Sequence, residues 1–185
     1  MESVNKPKRK PVRSQYLNYS DNGVYFLTLC TFNHQKILST ISAVGDGFPD
    51  VPKWDGFPDA NPDVCVHLTE IGQIVRNALE YIHQHNANVE IIKYVIMPNH
   101  IHLLVNVDSG TSRMPSPTDG MRNNRTNDII PKFVSSLKRF TNKRTGRQIW
   151  QRTYTDRVIR DMRDFENHWQ YIEENPLKWT LDKYY

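Results

Sequence analysis

The nine residues Met97–Val105, MPNHIHLLV, decide how the chain is read. His100 and His102 stand two apart in an apolar run. On a β-strand, side chains at i and i+2 point to the same face, so the two imidazoles stand side by side. Either they bind something jointly, or they are two satisfied polar residues in line. Upstream, Val89–Ile96 (VEIIKYVI) is rich in β-branched and aromatic residues and reads as a second strand. Pro98 and Asn99 between them are turn formers, so the pair is an antiparallel hairpin.

Working outward, Val24–Phe32 (VYFLTLCTF) has strand composition. Leu68, Ile71, Val75, Leu79 and Ile82 recur at three- and four-residue steps, which predicts an amphipathic helix over 68–86. Phe133, Leu137 and Phe140 do the same over 129–146, where Gly146 ends the helix. Gln148–Ile159 predicts a fourth strand, and 164–176 a third helix stopped at Pro176. The order is βαββαβ followed by α. The first six elements match the ferredoxin-like split βαβ motif, an α+β fold with two helices on one face of an antiparallel sheet. Its central strands are the first and third, so the histidine strand lies at the sheet centre.

A chain of 185 residues suits one domain. Residues 1–14 predict a disordered basic arm and 15–185 a single domain. Two Gly-, Pro- and Asp-rich segments, 45–63 and 108–127, read as loop insertions; the first carries DGFPD twice, too few copies for a repeat architecture. Cys30 and Cys65 are far apart, which suggests neither a disulfide framework nor a Cys-rich zinc site. There is no secretory h-region and no apolar stretch of membrane-spanning length, so the expectation is a soluble protein of the cytoplasm. The formal charge is +4, but between Lys132 and Arg163 ten Lys or Arg stand against two acids. A basic face with interleaved aromatics suits a polyanion such as nucleic acid; a solvated basic face is the plainer alternative. Lys138, Arg139, Lys143, Arg144, Arg147 and Arg152, with Lys6, Lys8, Arg9 and Lys10 of the arm, form the expected phosphate-contacting set. Trp150 and Tyr154 either stack on bases or pack in the core. Arg157 and Arg160 either extend the basic set or pair with Asp156 and Asp161.

On the last helix Phe165, Trp169 and Ile172 form an apolar stripe, while Tyr171 and Asn175, one turn apart, share a side rotated away from it. That row either projects chemistry or supplies packing and a C-terminal cap.

Three motifs in order carry a specific resemblance: PNHIHLLV, IWQRTYTDRVIRD and YIEENP. The first resembles the His-hydrophobic-His motif of the HUH endonucleases. The third resembles the YIxxNP signature of the single-tyrosine transposases. The second is similar to the matching stretch of the REP-associated tyrosine transposases. The resemblance runs from about Tyr16 to Trp179, without the two insertions.

The resemblance implies a ferredoxin-like HUH domain whose C-terminal helix carries the nucleophile. His100, His102 and Tyr171 are the implied catalytic residues. His100, His102 and Asn175 are the implied ligands of Mg²⁺, with Mn²⁺ expected to substitute because imidazole suits it better. The implied reaction is cleavage and transfer of single-stranded DNA, folded as a palindromic hairpin, through a covalent 5′-phosphotyrosine. The expected partner is such DNA, with no membrane, as a monomer or homodimer, at the nucleoid. The alternatives are a domesticated DNA-binding protein without turnover, and a rolling-circle initiator or relaxase, against which the length and the position of YIEENP argue.

Overall fold

The computed structural model describes residues 23–43, 64–108 and 129–179. The basic arm, with Lys6, Lys8, Arg9 and Lys10, and all of the two insertions but Asp108 lie outside the described residues.

The elements are β1 (Gly23–Cys30), β2 (Ser39–Ala43), β3 (Val64–Leu68), α1 (Glu70–His85), β4 (Val89–Ile96), β5 (His100–Val107), α2 (Ile129–Thr145), β6 (Thr155–Val158) and α3 (Met162–Glu174). The main sheet has the order β4-β5-β1-β6 and is antiparallel throughout. β5, the histidine strand, is central, beside β1 from Cys30 opposite His100 to Gly23 opposite Val107. The ferredoxin-like arrangement expected from the element order is therefore present.

Alternation along β5 assigns the two faces. Ile101, Leu103, Val105 and Val107 point into a core shared with Leu27 and Leu29 of β1, Val75 and Leu79 of α1, and Phe133 and Leu137 of α2. His100, His102 and Leu104 point the other way. There Leu104, Val95, Met97, Ile172 of α3 and Trp179 form a smaller cluster. Each fully buried Leu or Ile contributes about 1.5–3 kcal/mol, so the larger cluster holds the fold and the smaller one seats α3. A β-bulge shifts the β4 register between Ile91 and Lys93, with Ile91 opposite Val105 and Lys93 opposite Leu104. The extra residue turns Lys93 away from the α1–α2 core and toward α3.

Three details differ from the sequence expectations. Two further strands, β2 and β3, pair antiparallel across the first insertion. Leu68 belongs to β3, and α1 starts two residues later, because the Thr69 hydroxyl accepts from Gly72 N at 3.1 Å and caps it. Gly72 is required there by space: a Cβ would lie 2.0 Å from the Leu38 carbonyl oxygen. Finally, the fourth strand is only Thr155–Val158 rather than Gln148–Ile159. Trp150 forms an isolated bridge to Thr31, the residue after β1, and the carbonyls of Gln151, Arg152 and Thr153 accept from Lys138 Nζ instead of entering a ladder. Gly146 does end α2, in the left-handed region at φ 67°.

Candidate active site

The hairpin turn fixes the histidines first. Asn99 Oδ1 accepts from His100 Nδ1 at 2.8 Å, and both side chains are buried. An amide oxygen only accepts, so the proton sits on Nδ1 and the lone pair on Nε2. Thr28, opposite His102 in the β1–β5 register, places its hydroxyl 2.9 Å from His102 Nδ1. Each ring is thus held at Nδ1, and its Nε2 edge is buried within the site. The two ring centroids are 4.5 Å apart in an edge-on arrangement.

α3 lies over this pair. Asp161 caps its N-terminus by accepting from Asp164 N at 2.8 Å. Tyr171 is 39% exposed, and its ring meets His102 edge-on with centroids 5.1 Å apart. Two turns further on, Trp179 tilts over His100 at 6.0 Å. Asn175 falls between Tyr171 and Trp179 on the same side, one turn from each. It is 3% exposed, and its Oδ1 is buried without a hydrogen bond among the described residues. It occupies the C-cap position, but in right-handed helical conformation, and its backbone oxygen, not its side chain, accepts from Lys178 N. A buried amide oxygen without a donor is costly, and this one stands on the helix side that carries Tyr171, whose ring meets His102, and Trp179, whose ring meets His100; that setting fits a cation ligand better than a cap. Among the described residues no three His, Cys, Asp or Glu side chains gather at one place to hold a metal. The donors at hand are therefore two nitrogens and one amide oxygen.

Sequence reasoning missed the supporting residues. Phe26 stacks on His102 at 5.1 Å and also meets Tyr171 and His168. Thr28 and Asn99 orient the rings. Asn99 was visible only as a turn former. Thr28 could have been found only from the β1–β5 register, which no local turn encodes.

The basic residues are distributed differently. Arg139, Lys143, Arg144, Arg147 and Arg152 are exposed. α2 packs on the sheet face opposite the histidines, so its cations and the histidine pair are separated by the sheet. Lys138 is half-buried and donates to three carbonyls at 2.7–3.3 Å. Burial lowers its pKa from 10.5 to about 8. It braces the 151–153 segment. Trp150 is 1% exposed and donates from Nε1 to Thr141 Oγ1 at 2.7 Å, and Tyr154 packs against the main core; both belong to the core. Arg157 pairs with Asp164 at 3.0 Å rather than with Asp156, while Asp161 serves as the helix cap.

Known proteins agree with this architecture. A REP-associated tyrosine transposase solved bound to a REP hairpin superposes with a TM-score of 0.58, at 20% identity, over 92% of this chain and 77% of that one. A REP-associated tyrosine transposase of Escherichia coli K12 is 25% identical over 111 residues, 60% of this chain and 58% of that protein. An uncharacterised Haemophilus influenzae protein is 24% identical over 188 residues, 96% of this chain and 93% of its own length. The family model described as "Transposase IS200 like" matches residues 66–175, from β3 through the histidine strand to Asn175. That match spans more than half of the chain and includes both halves of the site, which makes this protein a member of the IS200-like transposase family.

Proposed function

We propose that the protein is a metal-dependent endonuclease and strand-transferase of single-stranded, hairpin-bearing DNA, with Tyr171 as nucleophile. One observation carries this reading: Tyr171, whose ring meets His102, and the buried amide oxygen of Asn175 share one side of α3, which lies over two imidazoles held at Nδ1. The solved relative's bound hairpin and the exposed cations support hairpin DNA as the partner. DNA as substrate places the protein in the cytoplasm at the nucleoid. No helix among the described residues is long and apolar enough to cross a membrane.

His100, His102 and Asn175 would hold a divalent cation, Mg²⁺ or Mn²⁺, with phosphate and water completing its shell. Bound there, it supplies charge neutralisation at a non-bridging phosphate oxygen. The chain's own residues do the rest. Tyr171 Oη bonds to phosphorus, the bond to the 3′ oxygen breaks, that oxygen takes up a proton, and the phenol proton passes to solvent. One phosphodiester is exchanged for another, so a free 3′-hydroxyl can attack the phosphotyrosine and rejoin strands. Phe26 and Trp179 wall the site and exclude water that would compete with that attack.

The test is incubation with labelled, hairpin-bearing single-stranded DNA and Mg²⁺ or Mn²⁺, followed by denaturing electrophoresis. A shifted, denaturant-resistant adduct is expected from the natural chain and none from Tyr171→Phe. An adduct that persists in Tyr171→Phe would remove the nucleophile. No adduct with any such DNA would leave a binding protein without turnover.

A further inference from the structure

We propose that Lys93 is a positioning residue that locks the rotation of α3 and thereby aims Tyr171 and Asn175 at the histidine strand. This deepens the proposed function and rests on Tyr171 as nucleophile. Lys93 is 4% exposed, in the strand next to the histidines, and turned toward α3 by the β4 bulge. Its Nζ lies 4.0 Å above the Trp169 ring and 3.7 Å from Glu173 Oε2. Trp169 and Glu173 form one row of α3, one turn apart. At about 100° per residue, the Tyr171–Asn175 row lies on the opposite flank, with Ile172 between the rows facing the sheet.

Ile172 is the one buried residue of α3. A single apolar keel resists lifting better than rolling. Lys93 grips the flank over β4; Tyr171 reaches over β5 and β1 on the other. A roll about that keel moves the two flanks in opposite senses, so any roll that displaces Tyr171 also shifts Glu173 and Trp169 from their places on the ammonium. A buried lysine is a poor choice for cohesion alone, since desolvation disfavours its charge and an apolar side chain would fill the space. It suits a directional contact, which the carboxylate and the ring face provide. The lever is short: a helix with side chains has a radius of about 5–6 Å, so a 20° roll moves the tip of Tyr171 by about 2 Å. A misplacement of about 1 Å costs about 100-fold in rate.

The experiment measures adduct formation by the full chain with a 3′-labelled hairpin oligonucleotide and Mn²⁺, at saturating DNA. Oligonucleotide affinity and melting temperature are recorded in parallel. Lys93→Met is expected to slow the adduct about 10- to 100-fold while binding DNA as the natural chain does. Lys93→Arg, which can also pair and stack, recovers most of the rate. Glu173→Gln, on a partly exposed position, slows it in the same direction without unfolding the chain. Full-rate reaction by Lys93→Met would overturn the proposal. So would full-rate reaction by Glu173→Gln if Lys93→Met fails to fold. If instead the natural chain forms no adduct, or Tyr171→Phe still does, it is the underlying function that fails.

Discussion

Thr28→Val isolates the support of one histidine. Thr28 is 5% exposed on β1, and its hydroxyl lies 2.9 Å from His102 Nδ1. Valine fills nearly the same volume, so the change removes a hydrogen bond without opening a cavity. The lost bond is worth about 1 kcal/mol, and a buried imidazole nitrogen left without it costs about 1 kcal/mol more. At about 2–4 °C per kcal/mol for a chain of this size, melting falls by about 4–8 °C. The effect on the site is larger. A ring freed at Nδ1 loses its fixed tautomer and orientation, and loss of such an outer partner costs about 10- to 100-fold in metal affinity. The assay is Mn²⁺ titration in the presence of hairpin DNA, on a Tyr171→Phe background that prevents reaction. Thr28→Ser, which keeps the hydroxyl, should bind Mn²⁺ like the parent. Parental Mn²⁺ affinity in Thr28→Val, with the melting loss still present, would reduce Thr28 to a packing residue and refute its role in holding His102 for the ion.

Three further outcomes are expected. Gly72→Ala drives a Cβ to 2.0 Å from the Leu38 carbonyl; it should destabilise by about 2–3 kcal/mol in urea denaturation, and an unchanged midpoint would mean the α1 start shifts freely. Asn175→Asp places a carboxylate beside the imidazoles and should tighten Mg²⁺ binding, since this hard cation prefers charged oxygen, whereas Asn175→Ala weakens it; calorimetric titration with MgCl₂ and hairpin DNA distinguishes them. Lys138, lowered from 10.5 to about 8, holds its proton less tightly folded than unfolded. Between those pH values the unfolded state binds more protons, so folded stability rises with pH. Lys138→Met lacks that gain, and the natural chain's denaturation midpoint minus that of the variant should grow from pH 8 to 10.5; a flat difference contradicts the burial of this amine.

What could be read from the sequence was whatever obeys a local period. The step of two in HIH gave the shared face, the βαββαβ order gave its central strand, and the step of four between Tyr171 and Asn175 gave their common row. What escaped depends on tertiary pairing. β2 and β3 meet across an insertion, so neither has a turn to announce it. Trp150 and Tyr154 alternate like strand residues, yet Lys138 captures the carbonyls between them and the ladder never forms. Lys138 itself looked like any other cation of a basic helix, because composition does not separate a buried amine from an exposed one. Lys93 was hidden by the bulge: simple alternation after Ile91 would send it into the α1–α2 core.

The sheet also acts as a partition. The cations of α2 lie on one side of it and the histidine pair on the other. From the outer surface of α2 to the far face of the sheet is about 20 Å, the width of a helix at about 10–12 Å plus about 10 Å between layers. At about 3.4 Å per base pair, this corresponds to about six pairs of duplex before any path around the edge is added. On the proposed function, DNA gripped by α2 and cut at Tyr171 has a minimum length. An oligonucleotide below it can occupy either side but not both, so shortening the substrate separates holding from cutting without changing a single residue.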